Sequence, residues 1–170
     1  MRALPFIALL LWAPAVAAQQ PSPEADADAF QSFIEEARPV CEAKPAKACV
    51  DTGYRFAASS PGQGLTLADV HNLRRSLGAW YERHGPQLRP REQGSVELGM
   101  LLADGMGMER LHAAFDGDRD GMVTQEELLA DVKLDSRPLG EVLKDPAATD
   151  RAGLARRLGL PPVLLEGLFR

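Results

Sequence analysis

Apolar residues recur at helical spacing along most of the chain, and proline- and glycine-containing segments interrupt the pattern. Phe30 and Phe33 share one face of residues 26–37, which predicts a first helix. Pro39 is expected to end this helix, because proline lacks the N–H group that a helical hydrogen bond needs. A second helix is predicted over residues 46–58, where apolar side chains again recur on one face.

A longer apolar stripe predicts a third helix over residues 67–83. Residues 84–94 contain several prolines and glycines, which is typical of a linker. We expect a short helix to begin at Ser95, a break or kink at Gly105 and Gly107, and then a further helix over the remainder of residues 95–115.

Apolar residues four apart also predict a helix over residues 125–134. Residues 138–144 are long enough for one or two helical turns. Thr149 or Asp150 is a suitable N-cap for a helix that continues to Leu158. Since every predicted element is a helix, the predicted fold class is all-α.

Residues 116–127, DGDRDGMVTQEE, differ from the flanking segments because carboxylates alternate along them. They match the pattern D-x-[DN]-x-[DN]-G-x5-E at every fixed position. This segment resembles the twelve-residue calcium loop of the EF-hand family, in which oxygen atoms surround a hard cation. The alternative interpretation is an acidic surface turn.

The resemblance implies Ca²⁺ as the bound cofactor and a defined set of oxygen ligands. Three aspartates would each offer one carboxylate, and Gly121 would allow the sharp turn between them. A backbone carbonyl, a water-mediated side chain and a bidentate glutamate would complete the shell. In chain order, the implied ligands are Asp116, Asp118, Asp120, Met122, Thr124 and Glu127.

Residues 58–69 can be aligned with this loop, with Leu65 at position 8 and Thr66 at position 9. Asp69 then takes position 12, but the carboxylates that should begin the loop are missing. Because EF-hands usually occur in pairs, a degenerate partner loop is one interpretation, and an ordinary helix-loop-helix is the other. Either way, this loop lacks the charge to hold calcium well.

The resemblance therefore implies an EF-hand pair with an added N-terminal helix and a C-terminal helical tail. The tail is expected to pack on the pair, or else to be a partner-binding or self-docked amphipathic segment. The predicted divisions are a signal peptide (1–18), a disordered lead-in (19–27), the EF-hand pair with its N-terminal helix (28–135) and the C-terminal helical segment (136–170).

Residues 1–18 have the pattern of a signal peptide: Arg2, an apolar run, then Val16-Ala17-Ala18 as a cleavage region. The apolar run is too short to span a membrane, although a membrane-retained anchor is the alternative. We therefore expect a periplasmic or secreted protein without a membrane span in its mature chain.

Export favours a disulfide between Cys41 and Cys49, the two cysteines of the chain. A continuous helix would separate their Cα atoms by about 12 Å, at 1.5 Å per residue. A disulfide needs a separation below about 7 Å, so the chain must turn back, and Pro45 is the expected turn. Two free thiols or a metal site are the alternatives.

The sequence contains no recognisable catalytic motif, so we expect no enzyme. The net charge of −5 and the predicted export argue against a nucleic-acid partner. Four of the five methionines lie between residues 100 and 122, where they either fill a core or form a partner-binding groove. Sensor, buffer and structural roles for calcium stay open, as do an envelope-adaptor role and the identity of any protein partner.

Overall fold

The computed structural model describes residues 22–60, 62–161 and 163, and the predicted signal peptide lies outside them. This part of the chain is mostly α-helical with one very small sheet, which confirms the all-α class. None of its helices is both long and apolar enough to cross a membrane. The elements are α1 (Pro23–Ala43), α2 (Ala46–Ala57), β1 (Leu65–Thr66), α3 (Leu67–His84), a 3₁₀ turn (Gly85–Gln87), α4 (Pro90–Met106), α5 (Met108–Phe115), β2 (Met122–Val123), α6 (Gln125–Leu128), α7 (Leu139–Lys144) and α8 (Arg151–Leu158).

The first helix is longer at both ends than the sequence pattern indicates. Ser22 caps its N-terminus by accepting a hydrogen bond from the Ala25 N–H at 3.2 Å, and Pro23 occupies the first turn. Residues 23–27, expected to be disordered, are therefore helical. The prediction that Pro39 ends the helix is wrong, because the helix continues past it to Ala43. Proline removes one helical hydrogen bond there, and the disulfide one half-turn later anchors the continuing segment.

Cys41 and Cys49 form the predicted disulfide, with their Cα atoms 4.6 Å apart. The chain turns back between α1 and α2, and Pro45 is the N-cap of α2, as the distance argument requires. The Ala46 N–H donates to the Arg137 carbonyl at 2.8 Å, so the same turn is also tied to the C-terminal part of the chain.

The main packing contact of the first half lies between α1 and α3. Trp80 is buried against Phe30, and its Nε1–H donates to Gln31 Oε1 at 2.8 Å. Phe33 and Phe56 stack with ring centroids 4.2 Å apart and join α2 to this cluster. These contacts give the predicted apolar faces of α1, α2 and α3 a common core.

Helices α2 and α3 match their predicted ranges to within one residue. The predicted linker 84–94 is shorter than expected, because α4 begins at Pro90 and not at Ser95. Proline is well suited to the first turn of a helix, and Glu92 accepts a hydrogen bond from the Arg89 N–H at 3.1 Å. The expected break is confirmed at Gly107, whose φ of 83° separates α4 from α5. The helix before the break is not short as predicted, because its early start at Pro90 makes α4 17 residues long.

The helix predicted over 125–134 is wrong beyond its first turn, since α6 ends after four residues. The backbone then pairs with a later segment instead of with itself. The Lys133 N–H donates to the Ala148 carbonyl at 2.7 Å, and the Asp150 N–H donates to the Asp131 carbonyl at 2.8 Å. Periodicity could not show this, because the competing partner lies many residues away along the chain.

Helices α7 and α8 pack on the preceding elements, as one of the predictions for the tail stated, while residues 162 and 164–170 of the predicted tail lie outside the described residues. Val142 of α7 is buried with Ala46 and Ala148. Ala155 and Leu158 of α8 are buried against a group of partly buried apolar side chains on α4 and α5, namely Met106, Leu111, Ala114 and Phe115. Asp150, one of the two predicted caps of α8, accepts from the Gly153 N–H at 2.8 Å.

Candidate metal centre

The loop between α5 and β2 brings Asp116, Asp118 and Asp120 together. One oxygen from each carboxylate lies within 4.8 Å of the corresponding oxygens of the other two. Two oxygens bound to one calcium ion at 2.3–2.6 Å can be up to about 5 Å apart, so this spacing suits a shared cation. Asp116 is half-buried, whereas the other two are exposed. This group could hold a metal ion.

Backbone N–H groups of the same loop orient these carboxylates. The Asp120 N–H donates to Asp116 Oδ1 and to Asp118 Oδ1, both at 3.1 Å. The Gly121 N–H donates to Asp116 Oδ2 at 3.0 Å. The chain reaches this geometry through left-handed residues, since φ is 63° at Arg119 and 87° at Gly121. Such φ values favour glycine, which is the residue that the sequence places at Gly121.

Glu127 lies at the far end of the loop and is not a member of the three-carboxylate group. Its carboxylate accepts from the Gly117 N–H at 2.7 Å and from the Thr124 N–H and hydroxyl, each at 2.9 Å. The hydrogen bonds from the Thr124 backbone and side chain are the main causes that lower the pKa of Glu127 to about 2. Glu127 is therefore an anion at neutral pH, and its bonds connect the two ends of the loop.

The remaining predicted ligands lie beside these carboxylates. Thr124 is exposed and caps α6 by accepting from the Glu127 N–H at 3.2 Å. Met122 belongs to β2, where it is paired with Thr66. All six predicted residues are thus in one loop, although the structure groups only Asp116, Asp118 and Asp120 as a candidate metal cluster among the described residues.

The loop of residues 58–69 repeats the hydrogen bonds that hold the last residue of the loop of residues 116–127. Asp69 accepts from the Ser59 N–H at 3.1 Å, just as Glu127 accepts from the Gly117 N–H. Asp69 also accepts from the Thr66 N–H at 2.9 Å and from the Thr66 hydroxyl at 2.8 Å, as Glu127 does from the equivalent threonine. The last residues of the two loops are therefore held in the same way. At the start of the loop of residues 58–69, however, Ser60 and Gly62 stand where the other loop has Asp118 and Asp120.

The two loops pair with each other through β1 and β2. The antiparallel register places Leu65 opposite Val123 and Thr66 opposite Met122. Leu65 and Val123 are both buried, so each loop contributes one apolar residue to the contact. Gly64 is needed beside them, because a Cβ atom there would lie 2.5 Å from the Met122 Cβ.

Three residues that the sequence did not single out support this site from other elements. The Tyr54 hydroxyl donates to the Val123 carbonyl at 2.7 Å, and His112 Nε2 lies 2.9 Å from the Leu65 carbonyl. Arg157 donates from a guanidinium nitrogen to the Glu127 carbonyl at 2.7 Å. No local pattern identifies these residues, since their partners are 30 to 69 positions away along the chain.

Searches against protein-family models, curated proteins and solved structures found no match for this chain. Its function must therefore be argued from the sequence pattern and the geometry of the loop.

Proposed function

We propose that this chain is a divergent EF-hand protein that is exported and binds one Ca²⁺ ion at residues 116–127. The observation that carries the proposal is the convergence of Asp116, Asp118 and Asp120 within a loop that matches the calcium-loop pattern at every fixed position. The hard carboxylate oxygens suit Ca²⁺, and four acidic side chains at the predicted positions favour a divalent cation. The metal ligands would be the six predicted residues of this loop.

The paired arrangement of the two loops supports a competent hand beside a degenerate one. Leu65 and Val123 occupy the same position of their loops and lie opposite each other. The loop of residues 58–69 has kept the hydrogen bonds of its last residue, Asp69, but not the carboxylates at its start. We propose that it stabilises the pair without binding an ion.

A structural role for calcium is favoured over a sensor role. Calcium sensors respond by moving the helix that leaves the loop. Here that helix, α6, is a single turn, and α8 contacts its end through Arg157. A short, held helix has little freedom to swing, which agrees with a site that stabilises an exported module. A partner protein is compatible with either role.

Calorimetric titration with calcium tests the proposal. We expect one ion per chain in the wild type and much weaker binding in Glu127→Gln and Asp116→Ala. Glu126→Gln is a matched control, because Glu126 is an exposed neighbour in the same turn and has the same charge. Failure of the wild type to bind calcium, or equal affinities for Glu127→Gln and Glu126→Gln, would contradict the proposed site.

A further inference from the structure

We infer that Arg157 is a positioning residue of this site, which couples calcium binding to the docking of α8. The inference rests on the proposed calcium-binding function. It concerns a side chain outside the loop, so the loop pattern neither contains nor implies it.

Arg157 contacts both ends of the loop. Its guanidinium lies over the ring of Phe115, 5.3 Å from the ring centroid, and Phe115 immediately precedes the first aspartate. One guanidinium nitrogen donates to the carbonyl of Glu127, the last residue of the loop, at 2.7 Å. The contacts therefore join the entry and the exit of the loop through one side chain.

The contact with Glu127 satisfies a carbonyl at the end of a helix. In a longer helix, the Glu127 carbonyl would accept from the N–H four residues later. Because α6 is a single turn, the Ala130 N–H donates to this carbonyl at 3.3 Å, and Arg157 supplies a shorter hydrogen bond at 2.7 Å. Helix α8 thus replaces part of the exit helix that the sequence pattern predicts.

Two further interactions fix the position of Arg157. Asp131 Oδ2 lies 2.9 Å from the guanidinium, in an ion pair that is not aligned as a hydrogen bond. Both side chains are mostly buried, with 21% and 15% of their surfaces exposed for Arg157 and Asp131. Ala155 and Leu158 of the same helix pack on apolar side chains of α5, including Phe115.

The contribution of Arg157 must be geometric, because its positive charge by itself would oppose a nearby cation. If docked α8 holds the loop ends in the binding geometry, docking raises calcium affinity. By linkage, calcium must then favour docking by the same factor. A residue that is needed for folding alone would not produce this reciprocal effect.

Titration and amide exchange of the full chain test the coupling in Arg157→Gln and Arg156→Gln. The second variant is the control: Arg156 is the adjacent arginine, its side chain is 74% exposed, and its only ion pair in the described residues is a 3.8 Å contact with Asp150. Both variants lose one positive charge. We expect Arg157→Gln to bind calcium about fivefold or more weakly than Arg156→Gln. Calcium should slow amide exchange in α8 of the wild type and of Arg156→Gln, but not of Arg157→Gln.

Arg157→Lys provides a second test if Arg157→Gln does not fold, because lysine keeps the charge but cannot place a planar group against all three partners. It should also weaken binding and the calcium-dependent protection of α8. Equal calcium affinity in the Arg157 and Arg156 variants, or full protection of α8 without Arg157, would overturn the coupling while leaving the calcium site intact. A wild type that binds no calcium would instead overturn the proposed function, and this inference with it.

Discussion

Leu65 and Val123 lie opposite each other in a two-residue antiparallel ladder, and both side chains are buried. Each is the eighth residue of its loop in the alignment of the two loops. The ladder therefore relates the loops by an approximate twofold arrangement. Gly64 allows this close approach.

Gly64→Ala is expected to weaken the pairing of the two loops. The added Cβ would lie 2.5 Å from the Met122 Cβ and 3.1 Å from the Val123 backbone nitrogen, and neither atom can rotate away. We expect the free energy of unfolding to fall by about 1–3 kcal/mol. Gly53→Ala is the control, because a Cβ there meets no atom within 4 Å. Denaturant unfolding measures both variants, and equal stabilities would contradict the close approach.

Gly121→Ala tests the left-handed turn of the metal loop. No atom lies within 4 Å of the added Cβ, so the cost arises from the φ of 87° alone. That cost is about 1–2 kcal/mol for a residue with a side chain. The same substitution at Gly94, inside α4, should instead stabilise the protein by about 0.5–1 kcal/mol, since alanine favours a helix. The midpoint of thermal unfolding should fall for Gly121→Ala and rise for Gly94→Ala. A shift in the same direction for both variants would contradict the left-handed conformation of Gly121.

Removal of the disulfide should destabilise the protein without changing its elements. The bridge closes a short loop, with a sequence separation of 8 between its cysteines. The double substitution Cys41→Ala, Cys49→Ala removes this restriction on the unfolded chain. It should lower the free energy of unfolding by about 2–3 kcal/mol. Thiol titration of the denatured, unreduced wild type should find no free thiol. Detection of two thiols would contradict the bridge, and an unchanged unfolding midpoint in the double variant would contradict its stabilising role.

Asp69 should make the free energy of unfolding depend on pH in the acid range. Its burial raises its pKa, but the hydrogen bonds from Thr66 and Ser59 outweigh burial, and the net pKa is lowered. The unfolded value is about 3.9, so this stabilisation is present above that pH and is lost as pH falls through the folded pKa. Asp69→Asn should therefore be less stable than wild type at neutral pH, by an amount that shrinks below about pH 4. Glu82→Gln changes an exposed residue of the same helix and is the control. If the stability difference between wild type and Asp69→Asn were the same at every pH, the role of Asp69 would be contradicted.

The sequence predicted elements well where the information is local. The helical stripes of α2 and α3, the break at Gly107 and the turn between the cysteines all depend on residues close together in the chain. The loop pattern likewise placed Asp116, Asp118 and Asp120 together, as the structure does.

Two of the failures share a physical cause, which is competition from distant partners. Periodicity predicted a longer α6, but the backbone of residues 131–133 bonds with residues 148–150. Arg157 could not be identified for the same reason, since nothing near it in the sequence indicates its contact with Glu127. Pro39 is a local case: it removes only one helical hydrogen bond, and α1 continues past it to Ala43, where the nearby disulfide holds the chain.

Amide NMR during a calcium titration tests the central claim, that one ion binds at residues 116–127 and none at 58–69. The Gly121 N–H donates to Asp116 Oδ2, so its chemical shift should report directly on that carboxylate. We expect the largest shift changes within residues 116–127, including Gly117 and Gly121, with saturation at one equivalent of calcium. Saturation at two equivalents, or larger changes in residues 58–69 than in residues 116–127, would contradict the account.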